Sequence, residues 1–136
     1  MKYIITILGA ILVFGCGKKT NNENGRMKID VTDVGALCTV NSGDGDYGVI
    51  KVLARDDQTI HIRLYMNKWS ERPSSVESSE LSLGSINDPG GFGIGHLPIS
   101  ISEYKSWAPV VIRQEDVLDD ELEGYNMWKD AGGGSF

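Results

Sequence analysis

The chain has 136 residues with 19 acidic and 13 basic side chains, a net charge of −6 at neutral pH. A chain of this length suits one domain built around one core. The acidic balance, without a basic stripe, argues against nucleic acid and anionic lipid surfaces as partners, and it would steer a basic protein partner toward the molecule.

Residues 1–15 have the anatomy of a secretory signal peptide. Lys2 places a positive charge near the N-terminus, and residues 3–14 form an apolar run that is shorter than a membrane-spanning helix requires. The run ends in Val13-Phe14-Gly15-Cys16. This ending resembles the lipobox of bacterial lipoproteins, in which an aliphatic residue stands three positions before the Cys and a small residue directly before it. Phe14, two positions before the Cys, departs from the small or aliphatic residue that is usual there.

The lipobox resemblance implies that Cys16 becomes the N-terminus and carries diacylglycerol and palmitate. The protein would then be anchored by lipid outside the cytoplasm, at the cell membrane or the outer membrane. An ordinary cleaved signal, or an uncleaved anchor with a free Cys16, is the alternative. Residues 16–26 predict a flexible tether, because GKKTNNENGR after the Cys has no aliphatic or aromatic side chain to bury.

The globular domain is expected over residues 27–136. Alternation at 27–31 predicts a short first strand. Residues 36–69 then predict a β-meander, with turns at 41–48, rich in Gly and Asp, and at 55–58, which is charged. In the third run, aliphatic side chains at 60, 62 and 64 alternate with His61, Arg63 and Tyr65. We therefore expect one dry face and one solvent-facing face, with a well-defined register.

The second half is less regular. Residues 70–80 predict a solvated loop and 81–83 a short strand. Residues 86–98, with four Gly and two Pro, predict tight turns or close backbone approach. Residues 99–102 alternate like a strand, although Ser102 could also cap a helical turn. Pro109 would end any helix there, and 110–113 predict a strand.

The C-terminal stretch 117–131 predicts an amphipathic helix. Leu118, Leu122 and Tyr125 fall on one face with Trp128 beside them, and Gly132–Gly134 would end the helix. We expect this stripe to dock on the sheet. The predicted fold class is therefore α+β: a bent antiparallel sheet or a small SH3-like barrel with one C-terminal amphipathic helix.

Few residues are candidates for a catalytic role. With Cys16 assigned to lipid, only Cys38 remains, and its apolar run favours a small buried hydrophobe over a reactive nucleophile or a dimer disulfide. A Cys–His hydrolase would need His61 or His96 as its base, and no motif brings either one close. His96 follows the Gly-rich loop, where it is either an exposed functional group or a cap for loop backbone groups.

No metal or cofactor is predicted. Asp44-Gly45-Asp46 lacks the further ligands of a calcium loop, and two His among scattered carboxylates give no zinc spacing. Several aromatic side chains stand at turn or edge positions, where they serve either core packing or protein interfaces. The possible binding residues are His96, Tyr65, Trp69, Phe92 and Trp107.

A second resemblance concerns residues 35–53. The run GALCTV, the turn Gly45-Asp46-Tyr47-Gly48 and the pair Val52-Leu53 resemble the opening of a β-rich family of immunity proteins from bacterial polymorphic-toxin systems. Asp46 stands where that family often has a basic residue, and small SH3-like or Tudor-like barrels share the meander. The resemblance covers about a third of the mature chain. It implies toxin neutralisation by protein binding, without catalytic residues.

These features together predict a membrane-tethered, non-catalytic binding lipoprotein. Its specific form would be an immunity-like protein that neutralises a toxin at the cell envelope, with a basic protein as partner. The alternatives are a cell-envelope enzyme that uses His96 and a structural envelope lipoprotein.

Overall fold

One open antiparallel sheet organises the molecule. The computed structural model describes residues 28–134, so the predicted signal peptide, Cys16 and the tether lie outside the described residues. The strands are β1 (Ala36–Asn41), β2 (Tyr47–Arg55), β3 (Thr59–Leu64), β4 (Ile94–Ser100) and β5 (Val110–Gln114), and they lie in the order β4-β3-β2-β1-β5. The helices are α1 (Ile101–Ser106) and α2 (Glu123–Asp130). The α+β prediction is confirmed, and the sheet does not close into a barrel.

The predicted meander is β1 to β3. Gly43 and Gly45 adopt positive φ angles of 87° and 93°, which reverse the chain between β1 and β2. In the next turn the Asp56 carboxylate accepts the backbone N–H groups of Gln58 at 2.9 Å and Thr59 at 2.8 Å. Bulges interrupt the register between β2 and β3 and again between β3 and β4, and such bulges bend and twist a sheet.

The first face of the sheet carries the main core. Its buried side chains include Cys38, Ile50, Ile62 and Tyr104, and the segment before β1 together with α1 covers them. The Tyr104 hydroxyl donates to the Val31 carbonyl at 2.8 Å, which ties α1 to that segment. The alternation of aliphatic side chains in β3 therefore correctly predicted which of its faces packs against the main core.

The prediction that the other face is solvent-facing is wrong. Lys51 and His61 lie on that face, and each is only 2% exposed. Val76, from the loop after β3, packs there against Leu37. The C-terminal segment also covers this face, where Lys51 bonds Glu121 and the Asp116 carbonyl and the His61 ring packs against Tyr125 and Trp128. Both faces of the sheet are thus buried.

Four local predictions also need correction. Strand β4 begins at Ile94, so residues 94–98 are extended rather than turns, and it pairs there with β3. No strand forms over 28–31, because the Asp30 carboxylate accepts both the N–H and the hydroxyl of Thr32 and starts a turn. Residues 81–83 are not a strand and make only single backbone contacts, such as Met66 N–H to the Ser82 carbonyl at 2.8 Å. Ser100 rather than Ser102 caps α1, accepting the Glu103 N–H at 3.1 Å, since β4 runs directly into the helix.

The C-terminal helix is shorter than predicted. A single 3₁₀ turn at Asp119–Leu122 precedes α2, and Leu118 remains 57% exposed instead of docking. Glu121 turns inward and accepts the Leu118 N–H at 3.1 Å, which fixes the start of this segment. No helix within residues 28–134 is long and apolar enough to cross a bilayer.

Candidate functional site

A cleft of about 540 Å³ opens at one end of the sheet. The β1–β2 turn, the end of β3, the Gly-rich loop and the end of α1 form its walls, and its volume lies within the range of known ligand sites. We call it the aromatic cleft; it is lined by Val40, Asn41, Ser42, Gly43, Gly48, Leu64, Tyr65, Met66, Lys68, Gly90, Gly91, Phe92, Ser106 and Trp107. Three of the five predicted binding residues, Tyr65, Phe92 and Trp107, therefore share one cleft.

Trp107 is held on the α1 wall by its own backbone and ring. The Asn41 N–H donates to the Trp107 carbonyl at 2.8 Å, which joins the end of α1 to the end of β1. The indole Nε1–H donates to the Glu103 carboxylate at 3.2 Å. The ring is thus positioned before any ligand arrives, and such preorganisation lowers the entropy lost on binding.

The Gly-rich loop brings Phe92 to the mouth of the cleft. The Gly93 N–H donates to the Leu83 carbonyl at 2.7 Å, and a Cβ at Gly93 would lie 2.1 Å from the Leu64 carbonyl oxygen. Only glycine permits this approach of the loop to β3, as its composition predicted. The Phe92 ring is left 55% exposed, an apolar surface available for contact.

Tyr65 and Met66 lie at the β3 side of the cleft, but the Tyr65 ring packs on the second face of the sheet against the cluster of Leu37, Val49 and Val76. The Tyr65 N–H donates to the Val49 carbonyl at 3.1 Å and so continues the pairing beyond β3. Burial raises the pKa of the Tyr65 phenol above its ordinary value, and the nearby Glu121 carboxylate adds to that rise. Tyr65 therefore stays neutral, and its ring contributes to packing on the second face rather than to the apolar surface of the cleft.

Polar groups lie around the apolar walls. The Ser42 hydroxyl is buried and finds no hydrogen-bond partner among residues 28–134. The two loops that flank the cleft, 42–46 and 84–93, contain three Asp residues and no Lys or Arg: Asp44, Asp46 and Asp88. Lys68 is the basic lining residue. The flanking loops are therefore acidic, in keeping with the charge of the chain.

Trp69 does not line the cleft. Its side chain packs against the cluster of Leu37, Val49 and Val76 on the second face, and its backbone exchanges two hydrogen bonds with Tyr47, at 2.8 and 2.9 Å. Its position indicates that this residue serves core packing.

His96 also lies away from the cleft and forms a pair with His61. His96 Nε2 is 2.9 Å from His61 Nδ1, so His96 bonds a second imidazole instead of loop backbone groups. Tyr125 and Trp128 of α2 enclose the pair, with ring centroids 4.8 and 4.4 Å from that of His61. A Cβ at Gly124 would lie 2.7 Å from the His96 Cβ, which shows how closely α2 approaches.

Burial lowers the pKa of both imidazoles below the ordinary value. For His61 the nearby Asp56 carboxylate opposes this effect, and for His96 the His61 ring adds to it. The pair is therefore neutral at pH 7, with one ring donating to the other. Sequence reasoning missed this pairing because the two residues lie 35 positions apart and meet only through the β3–β4 register.

Cys38 is fully buried on the first face, as its apolar run predicted. Its thiol lies 3.9 Å from the Val31 carbonyl, and burial raises its pKa. His61 projects from the opposite face of the sheet, so this structure does not bring the thiol and either imidazole together. Within residues 28–134 no three His, Cys, Asp or Glu side chains cluster as metal ligands.

Comparisons of the chain with protein-family models, with curated proteins and with solved structures find no match.

Proposed function

We propose that this chain is a lipid-anchored, non-catalytic binding protein outside the cytoplasm, and that it acts as an immunity-like protein on a basic toxin at the cell envelope. The observation that supports this proposal most is the aromatic cleft, where the exposed Phe92 ring and the fixed Trp107 ring lie beside acidic loops. Tyr and Trp with exposed apolar surface are typical anchors of protein interfaces. The lipobox resemblance at Cys16 supports the location.

Lipid attachment is tested separately from binding. Cells that express the full chain are labelled with a palmitate analogue, and the protein is followed in membrane and soluble fractions. The wild-type chain should incorporate label and fractionate with membrane, whereas Cys16→Ser should do neither. Cys38→Ser serves as the matched control and should keep the label. An unmodified full-length chain in the cytosol would contradict the proposed anchor.

The binding function is tested by co-expression with the toxin domains encoded beside the gene. The wild-type chain should protect cells from one of them and form a complex with it. Phe92→Ala should weaken protection, since an exposed aromatic anchor is lost. Ile86→Ala is the control, because Ile86 is 78% exposed in the same loop but does not line the cleft. Neither protection nor complex formation across the panel would count against the proposal.

A second candidate function is that of a cell-envelope enzyme that uses His96. The observation in its favour is the enclosed imidazole pair, because neutral imidazole is a common general base. An unchanged cellular phenotype in His96→Ala would remove this candidate. A structural envelope lipoprotein is the third; it would be abundant, and its deletion would cause only envelope defects.

A further inference from the structure

The aromatic cleft has a chemistry that defines what should enter it. We propose that it receives an extended segment of the partner protein in which an aromatic or long aliphatic side chain stands next to Lys or Arg. This inference rests on the proposed binding function and assigns the part of the partner that is recognised.

The apolar part of the segment follows from the walls. Val40, Leu64, Met66 and Trp107 line the cleft, and the Phe92 ring stands 55% exposed at its mouth. A large apolar side chain that enters would remove both its own surface and that of Phe92 from water. A polar segment would leave these walls without partners.

The basic part follows from charge complementarity. Asp44 Oδ1 accepts the Asp46 N–H at 3.2 Å, and Asp88 Oδ2 accepts the Ser85 N–H at 2.6 Å. These bonds hold two carboxylates in place within the flanking loops, and each carboxylate retains further acceptor positions. Lys or Arg beside the apolar anchor would be attracted by the carboxylates of these loops, whereas an acidic neighbour would be repelled by them. Lys68, in the lining itself, opposes this attraction, so the basic residue of the segment would lie toward the loops.

An extended segment suits the cleft because its walls come from separate loops and strand ends, so successive side chains of the segment can reach both the apolar lining and the flanking loops. The chain's own tether does not meet these requirements. It carries Lys18 and Lys19 but no apolar side chain over residues 17–26, so a segment of another protein is the better occupant.

The test uses the full chain in phosphatidylcholine nanodiscs and three fluorescent pentapeptides. The first has Trp between two Lys on each side, the second replaces Trp by Ala, and the third replaces every Lys by Glu. The first should bind about tenfold or more tightly than either of the others, as expected when an aromatic anchor and charge complementarity both contribute. Its affinity should fall with added salt.

Variants locate the binding. Phe92→Ala should weaken the first peptide about tenfold, while Ile86→Ala should leave it unchanged. Asp44→Asn, Asp46→Asn and Asp88→Asn combined should weaken it and reduce its dependence on salt. Asn keeps the acceptor oxygen for the loop N–H groups, so the loops should remain folded.

Other outcomes would overturn the inference. Equal affinity for the three peptides, or equal effects of Phe92→Ala and Ile86→Ala, would refute it. Displacement of the peptide by a monomeric, water-soluble short-chain phosphatidylcholine would assign the cleft to lipid. A toxin domain could form a complex that Phe92→Ala weakens while the three peptides bind equally well. In that case the binding function stands, and only the assignment of a segment with an apolar side chain next to Lys or Arg is wrong. If no toxin complex forms either, both proposals fail.

Discussion

Replacing Lys51 by Met should destabilise the protein strongly, although the sequence places Lys51 on the face expected to be solvated. The side chain of Lys51 is 3% exposed, and its ammonium lies 2.9 Å from a Glu121 carboxylate oxygen that is itself on a 10% exposed side chain. It also donates to the Asp116 carbonyl at 2.6 Å and lies 3.6 Å from Glu115. Removing the cation leaves Glu121 buried without its charge partner.

The magnitude follows from that environment. Breaking a buried ion pair from one side costs about 3–5 kcal/mol. We expect the lower limit, about 3 kcal/mol, because Glu115 is 24% exposed and the site can rehydrate on that side. For a domain of this size, this corresponds to a fall in Tm of about 12 °C. Met retains the apolar stem, so the change isolates the loss of the ammonium.

The assay is urea unfolding of single and double variants followed by tryptophan fluorescence, to which Trp128 on α2 contributes. Glu121→Gln alone should cost about 1.5 kcal/mol, since the Lys51 ammonium keeps its hydrogen bond to the Asp116 carbonyl. The double variant should cost about 2 kcal/mol less than the sum of the two single variants, because both remove the same interaction and Gln also removes the unpaired charge that Lys51→Met leaves buried. Met127→Ala is the control; Met127 is 66% exposed on α2 and should change stability by less than about 0.5 kcal/mol. Additive effects, or a Lys51→Met loss below about 1 kcal/mol, would refute the reasoning.

Three further predictions concern the packing around the sheet. Because burial lowers the pKa of His61 and His96, the folded state binds fewer protons than the unfolded state, so the stability they contribute is complete above about pH 6.5 and is lost as the pH falls below it. His96→Gln should reduce the dependence of the free energy of unfolding on pH, measured by urea titrations between pH 7 and 5. An unchanged pH dependence would contradict this prediction. Gly93→Ala should cost about 2 kcal/mol or more, since its Cβ would meet a β3 carbonyl at 2.1 Å; a stability equal to that of Gly95→Ala, where the nearest contact is an ordinary 3.7 Å, would disprove the close approach. Tyr104→Phe should cost about 1–1.5 kcal/mol in thermal unfolding, because the Val31 carbonyl loses its 2.8 Å donor; no change in Tm would show that water replaces the phenol.

Local patterns were sufficient for much of the sheet. The alternation of aliphatic side chains at 60, 62 and 64 predicted the core face of β3, and Gly and Asp predicted the turn after β1, because both signals depend only on neighbouring residues. The glycines of 86–98 likewise indicated close backbone approach, which Gly93 makes with β3. Tyr65, Phe92 and Trp107 were recognised as aromatic side chains at turn or edge positions.

Other features depend on contacts between distant parts of the chain. Whether a strand face is dry or wet is decided by what covers it, and the C-terminal segment that buries Lys51 begins 65 residues later, at Asp116. The His61–His96 pair and the meeting of Phe92 and Trp107 likewise require the β3–β4 pairing and the docking of α1 on β1. The sequence by itself therefore determined β1 to β3, the turns between them, β5 and the identity of the aromatic side chains. Only the tertiary structure decided which of them form a cleft and which polar groups are buried, because those outcomes depend on long-range packing rather than on local spacing.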